Sequence, residues 1–240
     1  MSDAQGTGSG GSLFMLDLEA LPQYDHRVFI LRHPLVQTKL TLMRDKNTHH
    51  REFRNLAHEV ATALAWAALR DVRLRERVVE TPLAKATGWD LDEKVGLVPI
   101  LRAGLGLVDG VLSVVPNATV WPVGIYRDEE TLQPVTYYEK LPPQMPVSLC
   151  LVLDPMLATG GSAAAAIRLV KDRGVQRVKY LGLVGAPEGV TFVREQHPDV
   201  EIYLAALDER LTPPPQKPGD PPAGYIVPGL GDAGDRLFGT

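Results

Sequence analysis

The chain has 240 residues, 45% of them hydrophobic, with a formal net charge of -4 and a pI near 5.9. That content can bury one substantial α/β core, and the mild acidity argues against broad nucleic-acid binding, which needs a basic face to neutralise phosphates. Cys150 is the only cysteine, so an internal disulfide is excluded. The absence of a long apolar run or a signal-peptide pattern leads us to expect a cytoplasmic protein with no membrane contact.

Residues 1–12, MSDAQGTGSGGS, read as a flexible tail, and 13–240 as a single domain. From Phe29 onward a short helical segment and then a long one are predicted. In the long one Phe53, Leu56, Ala57, Val60, Leu64 and Ala67 recur at steps of three and four, which gives one apolar face, while Arg51, Arg54, Glu59 and Arg70 stay wet. His49, His50 and His58 lack the i, i+4 spacing that puts two imidazoles on one helical face, so no zinc site is expected. Residues 80–94 mix Pro82, Gly88 and charges and read as an irregular or hairpin connection.

Residues 95–100, VGLVPI, form an apolar strand, followed by Arg102 in a turn and a helix through Leu112. Gly104, Gly106 and Gly110 are spaced one residue too far for a dinucleotide fingerprint, which excludes a nicotinamide site of that kind. By itself Arg102 also fits a plain surface charge. Residues 119–125 are predicted as a third strand, and a polar loop runs from Tyr126 to about Pro146. Such a loop on an α/β sheet is either a lid or a solvated connection.

The richest stretch is CLVLDPMLATGGSAAAAIRLV, residues 150–170. Leu151 to Leu153 fit a strand buried on both faces, and Asp154 ends it. Residues 163–170 fit a helix, with four alanines and with Gly174 as its stop. Between them, Thr159, Gly160, Gly161 and Ser162 bring backbone N–H groups and a positive helix end to one point, where an anion belongs. Ser162 is also a candidate helix cap. A turn of this kind can exist without a ligand, but Asp154 adds a carboxylate suited to hydroxyls beside the anion cradle, and a ribose 5-phosphate answers both. The nucleotide-kinase pattern and its lysine are absent.

Strand and helix go on alternating, at 178–184, 189–196 and 200–207, which indicates parallel strands with crossover helices and a ligand at the strands' carboxyl ends. Residues 211–223, LTPPPQKPGDPPA, read as an extended surface loop, and the glycine-rich 224–240 as a loose tail by composition.

Several of these strings resemble one family. LVLDPMLATGGS closely resembles the phosphoribosyl-pyrophosphate (PRPP) loop of uracil phosphoribosyltransferases, including Pro155 where most relatives of that family have a second acid. PILRAGLGLVDG resembles the family's pyrophosphate turn, GIYRDEETLQPVTYYEKLP its closing loop, and GYIVPGLGDAGD its uracil-binding segment. APEG, at 186–189, resembles a further family segment to which no role is given.

The resemblance implies a type I phosphoribosyltransferase-like α/β fold: a central, mostly parallel sheet flanked by helices, with N-terminal helices and a C-terminal uracil-binding hood. It implies PRPP contacts from Arg102, Arg127, Asp154, Pro155, Met156, Leu157, Ala158, Thr159, Gly160, Gly161, Ser162 and Asp232. Uracil contacts come from Ile226, Gly231, Asp232 and Ala233, and catalytic roles fall to Arg102, Arg127 and Asp232. Mg2+ is expected to ride mainly on PRPP rather than on a protein site. Some members respond to GTP and most form dimers or larger homo-oligomers, so the resemblance admits both. Two other classes stay open: a pyrimidine-sensing regulator of the same fold that binds RNA, and an enzyme for another base. The complete uracil segment argues against both.

Overall fold

The computed structural model describes residues 17–127 and 134–240. In chain order they form β1 (Leu18–Ala20), β2 (Val28–Leu31), α1 (Pro34–Arg44), α2 (His50–Ala68), β3 (Leu74–Glu80), β4 (Lys85–Leu91), β5 (Val95–Leu101) and α3 (Leu105–Leu112). Next come β6 (Thr119–Val120), β7 (Val123–Arg127), β8 (Pro134–Glu139), β9 (Leu149–Leu153), β10 (Met156–Leu157) and α4 (Gly161–Asp172). The chain ends with β11 (Arg177–Gly185), α5 (Pro187–Gln196), β12 (Glu201–Leu207), β13 (Arg210–Leu211), β14 (Ile226–Val227) and α6 (Ala233–Phe238).

The main sheet runs β1-β2-β12-β11-β9-β5-β7-β8, and its six inner strands are mutually parallel. Only the edges β1 and β8 are antiparallel to their neighbours. β9 lies at the centre, with Leu151 standing between Leu97 of β5 and Lys179 of β11. Its residues alternate between two cores, as a strand's period of two requires. Leu149, Leu151 and Leu153 pack toward Val36, Leu40, Phe53, Leu64 and Leu107 of α1 to α3. Cys150 and Val152 pack toward Ala166, Ile167 and Val170 of α4 and Val190 of α5. All six apolar positions singled out on α2 are buried. Cys150 is fully buried, and burial pushes its thiol pKa up, so it is packing and not a nucleophile. No helix among the described residues is long and apolar enough to cross a membrane.

Some expectations need correcting. Phe29 does not open a helix: Val28–Leu31 is a strand beside β12, and the helix begins only at Pro34, a residue suited to a first turn. A short apolar run reads equally as strand or buried helix, and here the free edge of β12 decided. The strand expected over 119–125 is broken at Trp121 and Pro122, because proline has no N–H for the ladder. The hairpin foreseen near 80–94 starts earlier, at Leu74. The polar stretch after Tyr126 is partly regular, since β8 returns antiparallel against β7. The tail expected at 1–12 and the stretch 128–133 lie outside the described residues. The proline-rich stretch is a surface loop whose ends are tied by Thr212 N to Tyr225 O, 2.7 Å, and Gly224 N to Thr212 O, 3.0 Å.

Candidate active site

β9 ends at Leu153, and the chain then turns through Asp154 to rejoin the sheet as β10, beside β11. The Pro155 carbonyl accepts from Leu183 N and Val184 N at 3.0 and 3.1 Å, and Leu157 O accepts from Ala186 N at 2.9 Å. Pro155 and Leu157 are therefore turned into the sheet, with Leu157 1% exposed, while Met156 and Ala158 face a cleft.

Gly160 then takes φ +84°, and α4 starts at once with Gly161. The helix is thus two residues longer at its start than expected. Ser162 lies inside its first turn rather than capping it, and the N-cap is Gly160, which has no side chain to offer. Helical geometry leaves the first N–H groups without intrahelical partners, so the turn Thr159 to Ser162 presents donors and a positive dipole end to whatever lies in front of it.

The cleft has a volume of about 260 Å³ and is lined by Asp154, Met156 and Ala158 from the turn after β9 and by Ile226, Gly231, Asp232 and Ala233 from the C-terminal segment. Burial at the cleft floor pushes the Asp154 carboxyl up to about 7, against the hydrogen bond it accepts from Met156 N at 3.3 Å. Behind it, the Tyr180 hydroxyl donates to the Asp154 carbonyl at 2.8 Å. Ala103 reaches the lining, whereas the Arg102 side chain stands exposed at the rim, where Nη2 lies 3.3 Å from Asp235 Oδ1. Arg127 ends β7, opposite Pro134 of β8. Tyr225, from the end of the proline-rich loop, also lines the cleft; it falls in the string GYIVPGLGDAGD but outside the residues singled out there.

The C-terminal segment is not a loose tail. β14 pairs with β13, and Asp232 caps α6 by accepting from Asp235 N at 2.9 Å. One arginine far away in sequence and one of its own hold it down. Arg54 donates to Leu237 O at 2.8 Å, and Arg236 donates to Leu230 O at 2.8 Å, to Asp45 O at 2.7 Å and to Met43 O. The Arg236 guanidinium also sits 4.3 Å from the centre of the Phe53 ring. Phe53→Ala is accordingly expected to cost about 3–5 kcal/mol, the range for a large buried ring, and to loosen α6 by freeing Arg236. Urea unfolding checks the first figure, and a loss below about 1 kcal/mol would show that α6 does not depend on this ring.

A carboxylate, a glycine turn opening a helix and a cleft thus stand together at the carboxyl end of β9 in a mostly parallel sheet flanked by helices, and the fold is that of a phosphoribosyltransferase. Comparison with known proteins narrows the class. The family model described as Uracil phosphoribosyltransferase matches residues 30–240. The uracil phosphoribosyltransferase of Roseiflexus castenholzii is 56% identical over 214 residues, covering 89% of this chain and 99% of its own. That of Halalkalibacterium halodurans is 56% identical over 215 residues, with the same coverage of each chain. A solved protein from Aquifex aeolicus superposes with a TM-score of 0.80 at 39% identity, covering 88% of this chain and 97% of its own. The chain belongs to the uracil phosphoribosyltransferase family.

Proposed function

We infer that the chain is a pentosyl-transferring enzyme that joins N1 of uracil to C1 of PRPP, releasing diphosphate and forming uridine monophosphate, a salvage reaction for a pyrimidine base. What supports this reading is that Ile226, Gly231, Asp232 and Ala233 line one cleft together with Asp154, Met156 and Ala158, the residues that lead into the glycine turn at the start of α4.

As the C1–O bond to diphosphate breaks, positive charge develops on the sugar and negative charge on the leaving group. In our reading Arg102 and Arg127 answer the diphosphate, and Arg102 is already held at the rim by Asp235. The first-turn N–H groups of α4 fix the 5-phosphate and Asp154 the ribose hydroxyls, which leaves C1 facing the base. Asp232 orients the base or accepts its N1 proton, directly or through water. Uracil presents an acceptor at O4 and a donor at N3, whereas cytosine reverses both, so backbone groups of Ile226 and Gly231 matched to uracil would leave cytosine with unpaired buried groups.

Magnesium enters as part of the substrate, chelated by the diphosphate. Asp154 and Asp232 both line the cleft and offer the hard oxygen donors such an ion accepts while keeping its waters. We keep a single domain, a cytoplasmic location and a homo-oligomer in the reading. What supports the oligomer is the β3–β4 hairpin, where Val78, Leu83 and Trp89 are 67%, 96% and 63% exposed, an apolar arm that a second copy would cover.

The test is diphosphate release from PRPP with magnesium, comparing uracil, cytosine, hypoxanthine and no base. Release with uracil alone is expected. Release with hypoxanthine in its place would reject the assignment of the C-terminal segment, and nucleotide or RNA binding without turnover would favour a regulator.

A further inference from the structure

We propose that Arg44 and Asp208, two residues outside the cleft, are the positioning residues that set base affinity and base discrimination. Arg44 is the last residue of α1, and Asp208 follows β12, 164 positions later. Their side chains meet in two parallel bonds, Nη1 to Oδ2 at 2.8 Å and Nη2 to Oδ1 at 2.6 Å. Such a fork-to-fork pair has one geometry, which a lysine cannot reproduce.

Both partners grip the same residue. Asp208 Oδ2 accepts from Gly229 N at 2.8 Å, and Arg44 Nη1 donates to Gly229 O at 2.9 Å. Gly229 lies in the turn between Ile226 and Gly231, both of which line the cleft. Its φ is +63°, and a Cβ there would overlap Ile226 O, so the turn is as tight as the backbone permits. One residue on, the Leu230 carbonyl accepts from Arg236, which is itself bonded to Asp45 O just beyond α1. The segment that faces the base is therefore registered on the end of α1 by two arginines and one aspartate.

The energetics point to orientation more than to stability. Asp208 is 8% exposed, and taking two charges largely out of water offsets most of their mutual attraction. What the pair supplies is a single orientation for the polar groups of Gly229. A base read through backbone donors and acceptors depends on their placement to a fraction of an ångström, and the side chains of Arg44 and Asp208 spend their bonds on each other and on Gly229.

The inference rests on the uracil reading of the cleft. Arg44→Lys and Asp208→Asn are expected to raise KM for uracil about tenfold or more, the loss of one well-made polar contact. KM for PRPP should rise several-fold less than KM for uracil, because Asp232 alone of this segment is assigned to PRPP, kcat should stay within about threefold, and the preference for uracil over cytosine should fall by a factor similar to the rise in uracil KM. The double variant should lose little more than either single one, since both remove the same grip.

Equal rises in both KM values, or an unchanged uracil KM beside a lowered melting temperature, would overturn the proposal. So would failure of both variants to bind PRPP, which would show that the pair holds the fold and not the base segment. The wild type run alongside separates two failures. No uracil-dependent release from the wild type would sink the functional reading and this inference with it, whereas a normal wild type with unshifted variants sinks this inference alone.

Discussion

In Gly161→Ala the affinity for PRPP is expected to fall about 10- to 150-fold, the worth of one charge-assisted contact, while the protein melts no earlier than the wild type. Among the described residues, the nearest atom a Cβ at Gly161 would meet is Thr159 Oγ1 at 3.9 Å. In a helix the Cβ leans toward the N-terminus, so the added methyl enters the space in which the anion must approach the first-turn N–H groups. Alanine is meanwhile the better helix former by up to about 1 kcal/mol. Gly160→Ala should behave differently. Gly160 has φ +84°, and its Cβ would come within 2.7 Å of Gly189 O and 3.2 Å of Phe192, so about 2–4 kcal/mol of stability should be lost along with binding. Calorimetric titration with PRPP and thermal melts measure both effects. A Gly161→Ala protein that binds PRPP like the wild type would remove the phosphate from this helix start.

Asp154→Asn should lower kcat/KM for PRPP roughly 100-fold above pH 8, by removing a charged acceptor for the ribose hydroxyls. The pH dependence follows from burial. With its pKa pushed up to about 7, the carboxyl loses its charge as pH falls through that value, and the ionised form is the stronger acceptor of hydroxyl bonds. The wild type should therefore show a rising limb in kcat/KM for PRPP with an apparent pKa near 7. The variant should lack that limb and retain only the substrate's own phosphate ionisation near about 6.

The stability effect runs the other way. A carboxyl whose folded pKa lies above its unfolded value favours folding in its protonated form, so its contribution is fully present below about 4 and is lost as pH rises to about 7. At 1.36 kcal/mol per pH unit the difference is at most about 4 kcal/mol, and the water that reaches the cleft reduces this to about 1–3 kcal/mol. Ligand-free Asp154→Asn should consequently be the more stable protein at pH 8 and nearly level with the wild type at pH 4, as is common where a site keeps a strained charge for its ligand. Identical wild-type and variant pH profiles would deny Asp154 its place in substrate binding.

Periodicity and punctuation made most of the framework legible. The three- and four-residue steps from Phe53 to Ala67 announced α2 and its buried face, and the apolar runs at 95–100, 151–153 and 178–184 announced three strands that proved adjacent. Composition was misleading where apolar content was short or glycine abundant. Phe29 joined a strand because an edge of the sheet was free to take it, and the stretch from Gly224 to Thr240, unstructured by composition, was ordered by bonds from Arg44, Arg54 and Asp208.

By itself, then, the sequence determined the alternation of strand and helix, the carboxylate followed by an anion cradle at 154–162, and the motifs that mark the family. These are local facts: a dipole end, a glycine's φ and an apolar face are written within a few neighbouring residues. Tertiary structure alone decided the burial that pushes the Asp154 carboxyl up to about 7, the pairing of Arg102 with Asp235, and the meeting of Arg44 with Asp208 across the molecule to grip Gly229. Each of these depends on desolvation or on side chains more than a hundred residues apart, and neither leaves a trace in local spacing.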